Sequence, residues 1–315
     1  MFNNSFSIYY NRFIIFLLAV SIFGFSTAFA KQERSQSKSP MSESFDTHSA
    51  ARKYINIGAG FRYSSYGVNQ MPENDYWIKT GKFISSKLTG SMPEAIWIVG
   101  EITPDNGVSL NFPCTSKNPL IESTQTDRNE KVFDQFDKEG FKIWLQVEPG
   151  DVDVIELINI ILSRYKHHPC IAGFGVDVEW YKISRHEDGK ALSNDEAREW
   201  VTEIKQHNRD YNLFLKHWLI EKMPSSERSG ITFINDGQEF NSMKDMVEFF
   251  AVWANNFYPS KVGFQFGYPA DKKWWGNFAD PFKTISRNIL LRAHNISSVF
   301  WVDFTILDVF PPKQN

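Results

Sequence analysis

The sequence has 315 residues and carries 34 basic against 37 acidic side chains, a balance that gives no reason to expect nucleic acid as a partner. Aromatic residues make up 16% of the chain and include ten tryptophans. This content favours either a large apolar core or a surface on which rings stack against sugars, and composition leaves both interpretations open.

The first thirty residues have the features of a secretory signal peptide. Arg12 precedes an apolar run at residues 13–25, and Ala28-Phe29-Ala30 provides the small residues of a cleavage site. We therefore predict a signal peptide at residues 1–30 and a secreted, periplasmic or cell-envelope location. An uncleaved membrane anchor is the alternative, because the run approaches the length that spans a bilayer.

Residues 31–52 contain many Ser, Lys, Gln and Glu residues and almost nothing to bury, so we expect a disordered linker there. The remaining residues, 53–315, show no sign of a further boundary and have a length that suits one large domain. We expect this domain to be a monomer that needs no cofactor.

Eight short apolar runs, rich in Ile, Val, Phe and Trp, follow within residues 53–315. They are Tyr54–Phe61, Ala95–Glu101, Phe141–Glu148, Ile171–Val178, Leu213–His217, Ile231–Asp236, Lys261–Gly267 and Ser298–Phe304. Segments that predict helices lie between most of them, at Asp75–Leu88, Arg128–Glu139, Val152–Lys166, Asp195–Arg209, Met243–Phe257 and Pro281–His294. Strands that alternate with helices pair in parallel, and eight such units close into a barrel. We therefore predict an α/β protein with a single (β/α)8 TIM barrel.

One predicted unit is irregular. Too few residues separate the fifth and sixth strands for a long helix, so that helix is brief or is replaced by residues 218–223. An open, doubly wound sheet is the alternative fold. The first strand gives it no support, because Gly58-Ala59-Gly60 lacks the third glycine of a dinucleotide-binding loop.

The two cysteines, Cys114 and Cys170, lie after one strand and before another. In a parallel barrel these positions belong to opposite rims, too far apart for a disulfide, which needs Cα atoms within roughly 7 Å. We therefore expect two free thiols, although export would permit a bond.

The active sites of such barrels lie where the strands end. The polar residues predicted at that rim are Arg62, Glu101, Gln146, Glu148, Asp177, Glu179, Lys216, His217, Asp236, Gln238, Gln265, Tyr268 and Asp303. A single acid at a strand end more often caps a helix or forms an ion pair than acts in catalysis. The joint occurrence of so many polar residues favours a functional site.

The fourth strand gives the sharpest prediction. Period-two alternation places Gly173, Gly175, Asp177 and Glu179 on one face. If that face lines the barrel, two carboxyl groups stack at its mouth, and one of them should hold a proton near neutral pH, as a general acid requires. The alternative is a structural network that joins these acids to Lys216 or Arg62.

Residues 172–179, Ala-Gly-Phe-Gly-Val-Asp-Val-Glu, resemble the fourth-strand signature of glycoside hydrolase family 18, Asp-Gly-x-Asp-x-Asp-x-Glu. This family comprises chitinases and endo-N-acetylglucosaminidases with TIM-barrel folds. The resemblance implies that Glu179 protonates the glycosidic oxygen and that Asp177 orients the N-acetyl group of the substrate, which serves as the nucleophile.

The sequence departs from this signature in two places. Ala172 and Gly175 stand where the family has aspartates, and the sixth strand lacks the tyrosine that would hold the N-acetyl group. Tyr268, at the end of the seventh strand, is a candidate substitute, and Trp301 resembles the ring that the family places beneath the sugar. The family 25 lysozymes also have Asp-x-Glu on this strand, but Gly-Phe-Arg-Tyr at residues 60–63 lacks their aspartate on the first strand.

These observations predict a secreted glycosidase that acts on an amino-sugar-containing or related polysaccharide. Its predicted catalytic residues are Glu179 and Asp177. The residues predicted to bind the carbohydrate are Gln146, Glu148, Trp180, Tyr181, Lys216, Trp218, Asp236, Gln265, Tyr268, Trp301 and Asp303, with Trp274-Trp275 as a further exposed stacking platform.

Two other functions remain open from the sequence. A non-catalytic, lectin-like barrel would explain the two missing aspartates, because fold alone does not determine function. A metal-dependent hydrolase or deacetylase would need Glu148, Asp177 and His217 to converge on an ion. It is the weaker option, because no His-x-His falls on a strand and His167-His168 precedes the fourth strand, at the opposite rim.

Overall fold

The computed structural model describes Tyr54 and residues 56–312. The predicted signal peptide at residues 1–30 and linker at residues 31–52 lie outside the described residues. Within the described part, no helix combines the length and the apolar character that crossing a membrane requires.

Eight parallel strands close into a barrel, as predicted. In chain order they are β1 (Gly58–Tyr63), β2 (Met92–Ile102), β5 (Lys142–Val147), β6 (Ile171–Asp177), β7 (Asn212–Lys216), β8 (Ile231–Asn235), β9 (Val262–Phe266) and β10 (Ile296–Trp301). Each strand pairs with the next one in this series, and β1 pairs with both β2 and β10, which closes the ring. The open, doubly wound alternative is therefore wrong.

Helices surround the barrel at the six predicted places, and the described chain has two further short helices. In chain order the helices are α1 (Asn74–Ser86), α2 (Glu130–Glu139), α3 (Val154–Tyr165), α4 (Asn194–His207), α5 (Met243–Phe257), α6 (Lys272–Trp275), α7 (Pro281–Leu290) and α8 (Ile306–Val309). The two short helices, α6 and α8, were not predicted. The start of α4 differs by one residue from the expectation. Ser193 is its cap, and Ser193 and Glu196 exchange side-chain to backbone hydrogen bonds in a capping box.

Two departures from a regular barrel lie near the carboxyl ends of the strands. The last residues of β2 pair antiparallel with β3 (Val108–Leu110), which in turn pairs with β4 (Ile121–Ser123). Between β7 and β8 the described chain forms only a 3₁₀ turn at Ile220–Lys222, so the predicted replacement of a helix by residues 218–223 is confirmed.

The apolar side chains form two cores. A large core fills the space between the strands and the helices. A small one inside the barrel consists of Ile96, Trp144, Phe214, Ile234 and Phe300. Most of the large aromatic side chains are buried in these cores, which explains much of the aromatic content without a sugar-binding surface.

Both cysteines are free, as expected from their positions. Cys170 is buried just before β6, whereas Cys114 is half-buried in the segment after β3.

The small core inside the barrel, called the inner core below, leaves no space for a side chain at Gly175 in β6. A Cβ atom at this position would stand 2.0 Å from the ring of Phe214, which is fully buried in the barrel. We therefore expect Gly175→Ala to lower the free energy of unfolding by about 1–3 kcal/mol through overpacking. Urea denaturation measures this change.

Gly263 in β9 provides the matched control. Its added Cβ would come no closer than 3.4 Å to any atom, so Gly263→Ala should leave the free energy of unfolding unchanged or raise it by up to about 1 kcal/mol. Equal stability of the two variants would show that Phe214 does not fill the barrel in this way.

Candidate active site

The carboxyl ends of the strands bring charged side chains together inside the barrel mouth. Asp177 and Lys216 are the last residues of β6 and β7 and are register partners in the sheet. The Lys216 Nζ atom lies 2.8 Å from Asp177 Oδ2 and also donates to Asp236 Oδ2, just past the end of β8. All three side chains are buried, so one ammonium group lies between two carboxyl groups that water does not screen.

A second ion pair closes the other side of the mouth. Arg62 at the end of β1 donates through Nε and Nη2 to Asp303, which follows β10 and has no exposed surface. The Ser64 hydroxyl also donates to Asp303 Oδ2, at 2.6 Å. Because Asp303 accepts these bonds with both oxygens, it anchors the loop after β1 and has little capacity left for a ligand.

Glu148 is tied to the same network by Tyr66, a residue that the sequence analysis did not single out. The Tyr66 hydroxyl donates to Glu148 Oε1 and accepts from Arg62 Nη1 at 3.2 Å, while Glu148 Oε2 accepts from the Ile102 amide at 3.0 Å. Tyr66 follows the first strand closely, so the rule that polar residues after strands form the site would have found it.

Glu179 reaches the site by a route that differs from the prediction. The strand ends at Asp177, and residues Val178–Trp180 form a 3₁₀ turn, so alternation along a strand does not place Glu179. Its carboxyl group nevertheless interacts with Asp177, Lys216 and Asp236, and it remains partly exposed. It is thus a partly exposed acid that interacts electrostatically with the buried network.

The protonation of these acids follows from burial and from excess negative charge. Burial raises the pKa of Asp177 to about 7, with a further upward contribution from Asp236 and Glu148 that Lys216 opposes. Burial and the Asp177 charge raise the pKa of Glu179 well above its ordinary value. Two interacting carboxyl groups with such shifts hold at least one proton between them at neutral pH.

The mouth also contains buried polar atoms that have no hydrogen-bond partner among the residues that the structure describes. They are Gln146 Oε1, Asp177 Oδ1, Asn235 Nδ2, Asp236 Oδ1 and Gln265 Nε2. At the opposite end of the strands the buried Glu94 accepts from Trp144 Nε1 at 2.7 Å and from Ser298 Oγ at 2.9 Å. Because buried polar atoms are normally paired, the cluster at the mouth indicates a site for a polar ligand.

Tyr268 contributes a hydroxyl group to this cluster. It is buried two residues past the end of β9, its hydroxyl donates a long hydrogen bond of 3.4 Å to Gln265 Oε1, and it interacts electrostatically with Asp236, Lys216 and Arg62. Burial raises the pKa of this phenol, so Tyr268 keeps its proton and can donate to a ligand oxygen.

His217 is not available as a metal ligand. Its Nδ1 atom accepts from the Leu219 amide at 2.9 Å, which leaves Nε2 to donate to the Asp188 carbonyl oxygen at 2.9 Å. Burial lowers the pKa of His217 to about 4, in agreement with a neutral ring held by the backbone. The metal-dependent alternative, which would need Glu148, Asp177 and His217 to converge on an ion, therefore lacks the His217 ligand.

Several aromatic residues lie outside the site, contrary to the prediction. Trp301 has no exposed surface and packs against Phe266 and Trp275 in the large core between the strands and the helices. Its indole N–H donates to Thr305 Oγ1. Its neighbour Phe300 belongs to the inner core, so alternation turns Trp301 towards the helices. A fully buried ring of this kind cannot stack on a sugar.

Of the other aromatic residues predicted to bind sugar, some are buried and some are partly exposed. Tyr181 is buried against Trp200 and donates to Glu196 at the start of α4, so its role is structural. Trp275 is buried in α6, and half-buried Trp274 donates to the Phe240 carbonyl oxygen, so this pair is not an exposed platform. Trp180 and Trp218 remain partly exposed beyond β6 and β7 and are the stacking candidates that the structure retains.

Two predicted rim residues take peripheral positions. Glu101, near the end of β2, is partly exposed and accepts from the backbone amide and the hydroxyl of Ser65, both at 2.8 Å. Gln238 is partly exposed two residues beyond Asp236.

The inner core explains one departure from the family 18 signature. An aspartate at position 175 would need the space that the Phe214 ring occupies. The acid missing from the signature is thus replaced by apolar packing beneath Asp177.

A cavity of about 460 Å³ lies away from the barrel mouth. Its lining includes Lys87, Asp280, Lys272 and Asp308, which form two ion pairs of 2.8 Å with one another. The charged groups there satisfy each other, unlike the polar atoms at the mouth, so we assign the candidate active site to the mouth.

No family model and no curated protein matches this chain. Among solved structures, a protein from Bacteroides thetaiotaomicron that is provisionally assigned as an α-L-fucosidase is similar with a TM-score of 0.50 and 10% identity, over 79% of this chain and 87% of that one. An endocellulase from Pyrococcus horikoshii gives a TM-score of 0.46 and 10% identity over 79% of this chain and 84% of that one. At these identities the comparison with the Bacteroides protein shows the fold, a (β/α)8 barrel.

Proposed function

We propose that the protein is a glycoside hydrolase that acts on an amino-sugar-containing polysaccharide by acid catalysis assisted by the substrate. The observation that carries the proposal is the pair Asp177 and Glu179, two interacting acids with raised pKa values at the barrel mouth. The provisional assignment of the similar Bacteroides protein as a glycosidase agrees with this proposal.

The chemistry of the unpartnered atoms supports a carbohydrate ligand. Gln146 Oε1, Asp177 Oδ1 and Asp236 Oδ1 are acceptors, whereas Asn235 Nδ2 and Gln265 Nε2 are donors. A sugar hydroxyl group donates one hydrogen bond and accepts others, so a ring with several hydroxyl groups can satisfy both kinds of atom. A purely anionic ligand would leave the acceptors unpaired and would be repelled by the acids.

The proposed reaction divides the work between the two acids. Glu179, which holds a proton and remains partly exposed, donates that proton to the glycosidic oxygen as the bond to the anomeric carbon breaks. Ionised Asp177, stabilised by Lys216, accepts a hydrogen bond from the acetamido N–H of the substrate. The acetamido oxygen then attacks the anomeric carbon, and water activated by Glu179 opens the cyclic intermediate.

Tyr268 is placed to assist this step. A protonated phenol beside Lys216 and Asp236 can donate to the acetamido oxygen, which is the role that the missing tyrosine of the sixth strand would have filled. We propose the same extracytoplasmic location that the N-terminal sequence predicts, where such polysaccharides occur.

The acid role predicts a dependence on the leaving group. Glu179→Gln should lower kcat/KM by about 100- to 10,000-fold on chitin oligomers or aryl N-acetylglucosaminides with poor leaving groups, because their departure needs a proton. The loss should be much smaller for aryl glycosides whose leaving group is already acidic. Steady-state kinetics on a series of aryl glycosides measures both effects.

Exposed Glu187 in the loop after the 3₁₀ turn offers a matched control, and Glu187→Gln should retain full activity on every substrate. A uniform loss across the series in Glu179→Gln would argue against general acid catalysis. Binding of oligosaccharides without turnover by the wild-type protein would instead favour the lectin-like alternative.

The negative charge of Asp236 predicts how the pH dependence of kcat/KM changes when this residue is replaced. The active form has Asp177 ionised and Glu179 protonated, so activity should appear as the pH rises through about 7. The Asp236 charge raises the pKa of Asp177, and Asp236→Asn removes it while leaving Lys216 to pair with Asp177 alone. The acidic limb of the kcat/KM profile should therefore move to lower pH in this variant.

Asp210 on the surface before β7 serves as the control, since Asp210→Asn should leave the limb in place. If the acidic limb of Asp236→Asn stays at the same pH or moves to higher pH, ionisation of Asp177 does not determine it.

A further inference from the structure

A second cluster of polar residues lies outside the barrel mouth, between α2 and the turn that precedes β6. It contains Glu130 at the start of α2 and His167 and His168 in the turn after α3. One potential ligand atom from each of these residues lies within 4.8 Å of the other two. None of them takes part in the network at the strand ends.

The distances in this cluster match those between the ligands of a small ion. Glu130 Oε1 is hydrogen-bonded to His167 Nε2 at 2.9 Å and lies 3.5 Å from His168 Nε2. Ligand atoms bound at about 2.0–2.1 Å to a tetrahedral zinc ion are separated from each other by about 3.3 Å. The carboxylate oxygen thus holds the spacing to both rings that a shared ion would require.

His168 provides an independent observation that a ligand is missing from its ring. The side chain is only 2% exposed, and its Nε2 atom has no hydrogen-bond partner within the described part of the chain. The Nδ1 atom lies 2.7 Å from Asp137 Oδ2, to which it donates, so in the neutral ring Nε2 presents a lone pair. That lone pair lies 3.5 Å from the Glu130 carboxylate oxygen, so two hydrogen-bond acceptors face each other and repel. A cation bound between them would attract both.

Asp137 acts as the supporting carboxylate. Besides His168, it accepts from the Cys170 amide at 2.8 Å through its other oxygen. A histidine that binds a metal almost always donates its second ring nitrogen to such a group, which fixes the ring and increases its basicity. Glu130 and His168 therefore supply atoms that can bind a metal, and Asp137 supplies the carboxylate that orients the His168 ring.

We propose that Glu130, His167 and His168 bind a Zn²⁺ ion, with Asp137 orienting His168. Two imidazole nitrogens and one carboxylate oxygen suit zinc better than calcium or magnesium, which prefer sets of oxygens. His167 is exposed, so water can complete the tetrahedral coordination from that side. The ion would cross-link the start of α2 to the turn that leads into β6, the strand that carries Asp177.

The competing explanation is a protonated His168 held between Glu130 and Asp137 without a metal. It accounts for the charges and for the hydrogen bond between His167 Nε2 and Glu130 Oε1, but it predicts no affinity for zinc. The two explanations therefore differ in a direct binding measurement.

The test uses the full chain without a histidine tag and freed of metal. Zn²⁺ is titrated in competition with a chromophoric chelator, and Co²⁺ is added separately so that its visible absorption reports the ligand set. The proposal predicts one Zn²⁺ per chain and a tetrahedral Co²⁺ spectrum. It also predicts a melting temperature that rises with Zn²⁺, because the ion binds the folded state.

Variants separate the proposed ligands from other histidines. His167→Ala and Glu130→Gln change residues that are not fully buried, so they should fold, and each should weaken Zn²⁺ binding at least 100-fold. Asp137→Asn should weaken it about 10- to 100-fold. Exposed His294 is the matched control, and His294→Ala should bind as the wild type does.

Absence of Zn²⁺ binding by the wild-type chain would overturn the proposal in favour of the protonated histidine. Undiminished binding by both His167→Ala and Glu130→Gln would overturn it equally, because the ion would then lie elsewhere. Hydrolysis at the barrel mouth does not enter this test, so its outcome is independent of the proposed function.

Discussion

The ammonium group of Lys216 between Asp177 and Asp236 is the interaction on which the candidate site depends. A buried lysine is costly unless it is paired, and these two acids raise its pKa so that it stays charged. Glu148 and Glu179 add further carboxyl groups to a region where this ammonium group is the nearest positive charge to Asp177. Because Lys216 and Arg62 are two cations against the five acids Asp177, Asp236, Glu148, Glu179 and Asp303, protons remain bound, and the site acquires its acid chemistry from this imbalance.

The sequence allowed the fold to be predicted almost completely, because the signals involved are local. Apolar runs of strand length alternate with amphipathic segments, and parallel pairing then permits few architectures. The same logic located Asp177, Lys216 and Asp236, since the end of each parallel strand lies at the same rim of the barrel. The ion pair of Asp177 with Lys216 was considered only as the structural alternative to a catalytic role, and that of Lys216 with Asp236 was not predicted, because the register between neighbouring strands is a property of the closed sheet.

The errors concern residues whose position depends on where a strand stops. Glu179 belongs to a 3₁₀ turn, so its approach to Asp177 depends on a loop conformation that period-two alternation does not describe. Trp301 lies on the outward side of β10 because Phe300 fills the barrel, and the sequence around them does not reveal which of two adjacent aromatics faces inward. Phe214 occupies the space beside Gly175, a contact between strands that is visible only in three dimensions.

The central claim is that the mouth holds a carboxylic acid that stays protonated at neutral pH. Infrared difference spectra recorded between pH 5 and 9, for the wild-type protein and for Glu179→Gln, measure this directly through the C=O stretch of protonated carboxyl groups. The account predicts a carboxyl group that titrates near 7, assigned to Asp177, and a signal from protonated Glu179 that is present at neutral pH in the wild type and absent from the variant. Spectra in which every carboxyl group is already ionised at pH 5 would contradict it.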